Sequence, residues 1–222
     1  MKQALAEHVT FLRQFRETFA TTGAITPSSR FLARALTAPL TQHTGPVRVL
    51  EVGPGTGAVT RHVVRQLRDG DRFDLVELNP RFVEILNVQF DQHPDFRRVA
   101  DHSTVHHLPL QEFAATEPYD FIISGLPLNN FPVPLVEEIF AAFFQHLAPG
   151  GVLSYFEYMY VRPMRRLVAK NDEKVRLAGL EDVIRRYLGP HRFRQDWVFV
   201  NFPPAWVQHL RRMTECTDAS IS

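Results

Sequence analysis

Three closely spaced glycines between a strand-like run and a helix-like run constrain the fold of this chain more than any other feature. Gly53, Gly55 and Gly57 follow Val47–Val52, a predicted strand, and lead into Ala58–Leu67, a predicted helix. Glycine lets the backbone approach a ligand closely, and the N-terminus of the following helix offers free N–H groups. The motif therefore predicts a strand, a tight turn and a helix in succession, with the turn either purely structural or built to hold a ligand.

The alternation of strand-like and helix-like segments continues along the chain. The further predicted strands are Arg72–Leu78, Phe96–Val99, Asp120–Ser124, Val152–Tyr160, Phe193–Asn201 and Ala205–Met213, and the further predicted helices are Arg30–Leu36, Pro80–Phe90, Leu135–His146 and Met164–Leu188. This alternation favours a parallel sheet covered on both faces. The last two strands must be antiparallel, because their turn is too short for a parallel crossover. We predict an α/β fold in one domain, with about seven strands of which one is reversed; residues 1–40 form a helical extension of the 47–222 core.

Composition narrows the compartment and the partners. The net charge of +1 gives no strongly basic field, so generic nucleic-acid binding is not expected. Cys216 is the only cysteine, which excludes an internal disulfide and a cysteine-based metal site and suits a reducing compartment. No 18 apolar residues run together, so no transmembrane helix is expected. We expect a cytoplasmic protein that can touch a membrane without crossing it.

Two acidic residues indicate what the glycine turn binds. Glu51 lies just before the glycines and would repel a pyrophosphate, and the turn lacks the Gly-Lys-Ser/Thr of a phosphate loop. Glu77 ends the next predicted strand, where an acid suits the two hydroxyls of a ribose. A cofactor with adenine, ribose and an amino-acid end fits this pattern. S-adenosylmethionine is such a cofactor.

At these residues the chain resembles the class I S-adenosylmethionine-dependent methyltransferases, whose fold is Rossmann-like. The resemblance rests on the runs EVGPGTG, VELN, ADH and ISGLP and covers about Val47–Tyr160. It implies that Glu51 and the three glycines surround the methionine end and that Glu77 holds the ribose. It also implies four neighbours of the adenine, which are Leu78, Asn79, Asp101 and His102.

Three further segments resemble a narrower family, the bacterial phospholipid N-methyltransferases. These are the run from Gly23 to Ala33, the SGLPL run from Ser124, and Val200–Val207, which extend the similarity over nearly the whole chain. The resemblance implies that Ser124 contacts the cofactor. It also implies that the first of these segments covers the cofactor and contacts it through Thr26, Ser28 and Ser29. The implied reaction is stepwise methylation of phosphatidylethanolamine towards phosphatidylcholine.

Ribosomal RNA adenine dimethyltransferases share this N-terminal arrangement and are the alternative enzyme class. They carry an aromatic residue that stacks on the target base where this chain has Leu128. The segment Ile122–Pro134 is largely apolar, which favours a substrate with lipid tails over a nucleobase. A catalytically silent cofactor-binding module is the alternative outside catalysis. The pairing of Glu51 with Glu77 weighs against it.

An amine acceptor places its own demands on the site. Backbone carbonyls at Gly125 and Leu126 are candidates to orient the amine through its N–H groups. A methylated ammonium has few or no N–H groups, so aromatic faces become its natural wall. Tyr158 and Tyr160 are candidates for this wall, and Glu157 is a weaker candidate as proton acceptor.

The remaining predictions concern lipid and metal. Arg162 and Arg165 could bind the lipid phosphate or form a solvated helix face. A peripheral position on the inner face of the membrane would use the amphipathic run Lys2–Phe19 and the basic region 161–194, where ten arginines and lysines face four acids. The same region could meet RNA phosphates. No metal is expected, because His102, His106 and His107 match no known ligand spacing.

Overall fold

The computed structural model describes residues 10, 30–159, 171–201 and 203–214, with the side chains of 171–173 excepted. Its strands are β1 Arg48–Val52, β2 Arg72–Glu77, β3 Ser103–His107, β4 Tyr119–Ser124, β5 Leu147–Tyr158, β6 Arg192–Val198 and β7 Ala205–Arg211. Its α-helices are α1 Arg30–Leu36, α2 Thr60–Val64, α3 Pro80–Gln92, α4 Pro94–Arg97, α5 Val133–His146 and α6 Asn171–His191. Short 3₁₀ turns occupy Ala38–Gln42, Ala100–His102, Leu110–Glu112 and Leu128–Asn130.

The strands form one seven-stranded sheet in the order β3-β2-β1-β4-β5-β7-β6. All neighbouring pairs are parallel except those of β7, which is antiparallel to both β5 and β6. The predicted doubly wound, mostly parallel sheet with one reversed strand is confirmed. The order changes direction between β1 and β4, where the crossovers leave to opposite sides and a crevice opens beyond the strand ends.

Two hydrophobic cores cover the two faces of the sheet. One face packs against α5 and α6 around Phe140 and Tyr155, and the other packs against α1 to α4 around Phe73 and Phe96. Side chains alternate between the faces along each strand. This alternation decides below which candidate residues of β5 can meet.

The predicted third strand at Phe96–Val99 is wrong. Pro94 stands in the first turn of α4 and the ring of His93 accepts a hydrogen bond from the backbone N–H of Asp95, so this segment starts a helix. Phe96 is fully buried as the apolar anchor of that turn and contacts Phe90 edge-on, with 5.2 Å between ring centroids. The third strand is β3, which begins at Ser103.

The β5 strand begins earlier than expected. Leu147 already pairs with Tyr119, after which the chain bulges and resumes pairing at Val152 opposite Phe121. Gly150, at a positive φ of 78°, lies in the bulge. The LAPGG run therefore makes an excursion within the strand.

Elsewhere, none of the helices in the described ranges is long and apolar enough to span a membrane.

Candidate active site

The glycine turn lies at the crevice between β1 and β4. Gly53, Gly55 and Gly57 have φ of 72°, 58° and 82°, values that favour glycine over any residue with a Cβ. The N–H of Gly53 donates to the carbonyl of Val76 at 2.9 Å, which ties the turn to β2. The turn is therefore held in one shape before any ligand arrives.

Glu77 is buried at the end of β2 with its carboxylate directed at the glycine turn. One oxygen accepts a hydrogen bond from the N–H of Gly55 at 3.0 Å, and the other accepts one from the N–H of Asn79 at 2.8 Å. Asn79 in turn caps α3, where its Oδ1 accepts from the N–H of Arg81 at 2.9 Å. The geometry holds the predicted ribose acid in place at the crevice.

Glu51 lies on β1, fully buried, and its two carboxylate oxygens meet no hydrogen-bond partner among the described residues. Burial is the main reason that the pKa of its carboxyl is raised to about 8. The nearby Thr60 lowers this pKa, although no hydrogen bond of normal geometry joins the two side chains, and the charge of Glu77 raises it. A buried acid without a partner calls for an explanation. A ligand that brings a positive charge would supply one, as the amino group of a methionine end does.

A largely apolar recess opens beside the two acids. Its lining comes from the ends of β1 and β2, the segment after β3, the loop after β4, and α5, and comprises Val52, Gly53, Val76, Leu78, Leu108, Pro109, Leu110, Gln111, Leu126 and Ile139. The space in and in front of it, open solvent included, is about 350 Å³. The amide oxygen and nitrogen of Gln111 are buried and have no hydrogen-bond partner among the described residues. An apolar slot with one free amide suits a flat, hydrogen-bonding base.

The residues present fit S-adenosylmethionine at three points. Gln111 and the recess would take the adenine, Glu77 the ribose hydroxyls, and Glu51 the charged methionine end. Leu78 lines the recess, and its contact with adenine stays a prediction, whereas Asn79 is buried as the cap of α3. Prediction from sequence missed the segment from Leu108 to Gln111, whose only signal is its position directly after a strand.

The predicted adenine contacts of Asp101 and His102 are wrong. Both residues precede β3, whose first residue Ser103 pairs with Phe73 near the start of β2. The ring of His102 is 2.7 Å from the guanidinium of Arg72, at the first residue of β2. These two side chains therefore lie at the amino-terminal edge of the sheet, whereas the glycine turn lies at the carboxyl edge.

The loop after β4 packs against the glycine turn. The N–H of Gly125 donates to the carbonyl of Val52 at 2.8 Å, and a Cβ at Gly125 would stand 2.6 Å from the carbonyl oxygen of Gly53. Only glycine allows this approach. Ser124 is fully buried, and its hydroxyl accepts a hydrogen bond from the N–H of Leu126 at 3.3 Å.

The apolar residues of this loop are core residues. Leu126, Leu128 and Phe131 are buried within the core that packs on α5, so their side chains do not form an apolar lip open to lipid tails. That part of the prediction is wrong, because a run of apolar residues does not reveal whether it faces inward. The carbonyl of Leu126, a candidate to orient an amine, already accepts the N–H of Leu128 at 3.0 Å and retains one lone pair.

Glu157 and Tyr158 lie at the carboxyl end of β5 but on opposite faces. Glu157 is buried on the α6 side and accepts a hydrogen bond from the hydroxyl of Tyr155 at 3.1 Å. Tyr158 packs on the other side against Phe156, with 5.1 Å between ring centroids, and burial raises the pKa of its phenol. The two candidates therefore do not share one wall of a pocket.

A large cleft adjoins Glu157 between α6 and the last two strands. Its volume is about 1210 Å³, including open solvent, and its lining comprises Glu157, Glu181, Ile184, Arg185, Leu188, Gly189, Arg192, Gln195, Trp206 and Gln208. The indole N–H of Trp206 and the amide oxygen of Gln208 are buried there, and within the part of the chain that the structure describes neither has a hydrogen-bond partner. Acidic and basic side chains thus face one space, together with free polar groups; no sequence motif indicated this cleft.

Six of the predicted site residues lie outside the described residues: Thr26, Ser28, Ser29, Tyr160, Arg162 and Arg165. The proposed membrane helix Lys2–Phe19 also lies outside them, except for Thr10. Each histidine considered as a metal ligand has its own partner: Arg72 for His102, Asp74 for His106, and the carbonyl of Leu78 for His107. No cluster of three metal-binding side chains occurs within the described residues.

Comparison with known proteins supports a methyltransferase. Residues 50–153 match a family described as a methyltransferase domain. An ornithine lipid N-methyltransferase from Singulisphaera acidiphila is 28% identical over 159 residues, which cover 70% of this chain and 82% of that protein. A ribosomal RNA small subunit methyltransferase A from Pseudomonas syringae pv. tomato is 45% identical over only 49 residues, covering 22% of this chain and 17% of that protein.

The fold has solved counterparts. An O-methyltransferase from Bacillus cereus, determined in complex with SAH, superposes with a TM-score of 0.63 at 17% identity, covering 91% of each chain. The sheet order, the glycine turn with its two acids and the domain match support a class I S-adenosylmethionine-dependent methyltransferase. Within that class it is related to a lipid N-methyltransferase.

Proposed function

We propose that this methyltransferase methylates the amine of phosphatidylethanolamine and of its partly methylated derivatives, towards phosphatidylcholine. The carrying observation is the cleft beside Glu157, which presents acids and arginines to one space at the carboxyl end of β5. A zwitterionic lipid headgroup has the matching pair of charges, an ammonium and a phosphate. The relationship to a lipid N-methyltransferase supports the same class of acceptor.

The reaction sets clear tasks for the protein. A neutral amine nitrogen forms a bond to the methyl carbon as the bond from that carbon to the sulfonium sulfur breaks, and one proton leaves for each methyl added. The cofactor supplies the activated methyl group and a neutral thioether leaving group. Holding the reacting atoms in line, about 3 Å apart, can contribute ~7–11 kcal/mol of the lowered barrier.

The chain's own residues divide these tasks. Glu51 and Glu77 hold the two ends of the cofactor nucleoside, and the carbonyls of Gly125 and Leu126 accept the N–H groups of the amine. Glu157, buried at the cleft, takes the proton or balances the ammonium charge. Tyr158 lies on the opposite face of β5 from Glu157, so of the two tyrosines we retain only Tyr160 in our proposal for the aromatic wall beside the methylated cation.

Contact with the membrane completes the proposal. Arg162 and Arg165 would bind the lipid phosphate bidentately, and the basic region 161–194 with Lys2–Phe19 would hold the enzyme on anionic lipid. We propose accordingly a cytoplasmic protein held peripherally on the inner face of the membrane.

An ornithine lipid is the second candidate acceptor, favoured by the 28% identical relative. Its headgroup also pairs an amine with an anion, here a carboxylate, and therefore suits the same cleft. The two lipids differ in the shape and position of the anion.

Methyl transfer to defined acceptors tests the proposal. The full chain is incubated with methyl-labelled S-adenosylmethionine and, separately, with vesicles of phosphatidylethanolamine, vesicles of ornithine lipid, or ribosomal RNA. We expect label in monomethyl-, dimethyl- and trimethyl-phosphatidylethanolamine. Label only in ornithine lipid would contradict the phospholipid assignment while preserving lipid methylation, and label only in RNA would contradict both.

The variant Glu157→Gln tests the role of the cleft. We expect its rate with phosphatidylethanolamine to fall by about 10²–10⁴-fold, the range for loss of a general base, with cofactor affinity unchanged. The matched control is Glu84→Gln, at an exposed position on α3. Full activity of Glu157→Gln would remove Glu157 from the mechanism.

A further inference from the structure

We propose that an aromatic patch at the tip of the last two strands docks on the surface of an anionic lipid bilayer. The patch consists of Phe31, Trp197, Phe199 and Val200, flanked by Arg30 and Arg34. It is distinct from the segments proposed above for membrane contact, except that Trp197 follows the basic region closely. The inference rests on the proposed function only in its expectation that the acceptor is a lipid.

The exposure of these side chains is the first observation. Trp197, Phe199 and Val200 are 56%, 62% and 70% exposed, and Phe31 is 41% exposed. They lie around one shallow recess with Ala35 and Ala38 at its floor. Soluble proteins rarely leave several large apolar side chains exposed side by side. A contiguous patch of them therefore marks an interaction surface.

The aromatic rings are held as a group. The rings of Trp197 and Phe199 lie 5.7 Å apart, and Trp206 meets Trp197 edge-on at 5.8 Å. Tryptophan is enriched at membrane interfaces, because its ring is apolar and its indole N–H is polar. Here phenylalanine side chains add apolar surface beside it.

Charge selects a bilayer as the occupant. Arg194 is paired with Asp196, at 2.8 and 2.7 Å, so it brings no uncompensated charge to the patch. Arg30 lies over the ring of Phe31, 4.9 Å from its centroid, and Arg34 is exposed on α1. Among the described residues neither Arg30 nor Arg34 faces an acid in an ion pair, which leaves two positive charges beside the rings. Anionic headgroups would complement both.

Position in the fold is the fourth observation. Val198 pairs with Ala205, which pairs with Tyr158 at the carboxyl end of β5. The turn that carries Phe199 and Val200 therefore projects from the same edge of the sheet as the glycine turn and the cleft. A bilayer that meets the patch would therefore lie at the edge of the sheet that also carries the glycine turn.

Sedimentation with vesicles tests the patch on the full chain. We expect the protein to bind vesicles containing phosphatidylglycerol far more tightly than neutral phosphatidylcholine vesicles. Phe199→Ser with Val200→Ser should weaken binding to the anionic vesicles by about tenfold or more, since each change removes apolar burial. The matched control replaces two exposed residues elsewhere, Val88→Ser with Met213→Ser, and should bind as the unchanged protein does.

A second pair of variants tests the charges. Arg30→Gln with Arg34→Gln should lower binding to anionic vesicles, reduce its dependence on salt concentration, and leave binding to neutral vesicles unchanged. Equal binding of all variants to anionic vesicles would overturn the proposal. So would a shift of oligomeric state in the Phe199 and Val200 variant, since the patch would then join copies of the chain.

A soluble acceptor separates this inference from the proposed function. With dihexanoyl-phosphatidylethanolamine below its micelle concentration, the Phe199 and Val200 variant should turn over at the rate of the unchanged protein, and only its rate on vesicles should fall. An equal loss on both acceptors would contradict docking. If no lipid were methylated at all, the proposed function would fail, and the sedimentation result would still decide the docking surface.

Discussion

At the scale of single residues, Glu51 is the side chain whose state depends most on the cofactor. Its burial without a hydrogen-bond partner leaves it protonated in the ligand-free protein near neutral pH, because its pKa is raised to about 8. An ammonium placed against it would favour the charged carboxylate. Binding should therefore remove a proton from Glu51.

The first prediction follows from this coupling. At pH 7, binding of S-adenosylhomocysteine, which retains the amino group, should release close to one proton from the complex. Titration calorimetry in buffers of different ionisation enthalpy measures this release. The variant Glu51→Gln should bind more weakly and release none; an observed heat that is independent of buffer in the unchanged protein would show that Glu51 is not the partner of the amino group.

Glu77 gives the second prediction. Its two oxygens already accept backbone N–H groups, so they are fixed as acceptors before the ribose arrives. Glu77→Gln replaces an ionised acceptor with a neutral one and should weaken cofactor binding by about 10–100-fold, the value of a hydrogen bond to a charged group. Calorimetry measures the affinity, and circular dichroism checks the fold. Unchanged affinity in a folded variant would refute the ribose assignment.

Gln111 gives the third prediction. If its free amide meets the edge of the adenine, Gln111→Leu should lose preference for adenine without gross loss of structure. The measurement compares the affinities of S-adenosylhomocysteine and S-inosylhomocysteine. We expect the unchanged protein to discriminate by about tenfold and the variant to bind both alike. Equal discrimination by both proteins would remove Gln111 from the adenine site.

At the scale of elements, the close packing of the loop after β4 on the glycine turn gives a fourth prediction. Gly125→Ala would place a methyl group against the carbonyl of Gly53 and should destabilise the protein by about 1–3 kcal/mol and lower cofactor affinity. Gly45→Ala is the control, because a Cβ there meets no atom within 4 Å. Urea unfolding measures both. Equal stability of the two variants would show that the loop moves aside freely.

One misplaced element explains the main error in the predicted site. A strand at Phe96–Val99 would have put Asp101 and His102 just beyond its carboxyl end, beside the cofactor. Because the strand is Ser103–His107, the same residues precede it and lie at the far edge. The apolar segment from Leu108 to Leu110 instead lines the recess that would take the adenine.

Other parts of the site could be predicted because local chemistry determines them. Glycines at positive φ and acids at the ends of β1 and β2 are visible in the sequence as residue types at fixed spacing. The cleft beside Glu157 joins side chains from β5, α6, β6 and β7, which come together only through the order of strands in the sheet. Nor does sequence spacing reveal which face of β5 a residue occupies unless the register is known.

At the scale of the whole molecule, a polar chain crosses one face of the sheet. The hydroxyl of Ser154 is 2.8 Å from Nδ1 of His209, whose Nε2 is 3.3 Å from a carboxylate oxygen of Asp196. The serine and the histidine are buried, so a substrate cannot reach them. This arrangement joins β5, β7 and β6 and is structural.

Buried titrating groups give a fifth prediction, for the stability of the ligand-free protein against pH. Burial lowers the pKa of His146 and His209, so unfolding takes up protons below about pH 6.5 and stability falls on acidification. Burial raises the pKa of Glu51 from 4.5 to about 8, so the unfolded chain releases that proton first and stability falls as the pH rises towards 8. The free energy of unfolding should therefore be highest near pH 6–7.

Urea titrations over a series of pH values check this maximum, and Glu51→Gln is the control. Above pH 6.5 the decline due to Glu51 is at most about 1.4 kcal/mol per pH unit, and the variant should lose it. A steady rise in the stability of the unchanged protein from pH 6.5 to 8 would contradict the buried, protonated carboxyl.

The reversed course of β7 decides how the enzyme would meet a membrane. If β7 were parallel to its neighbours, the segment that leads into it would start at the opposite edge of the sheet. That edge is roughly 20 Å away, at about 3.3 Å per residue of strand. Because β7 is antiparallel to its neighbours, the turn between β6 and β7 lies at the same edge of the sheet as the carboxyl end of β5. The direction of one strand would thus determine how the protein is oriented on a lipid bilayer.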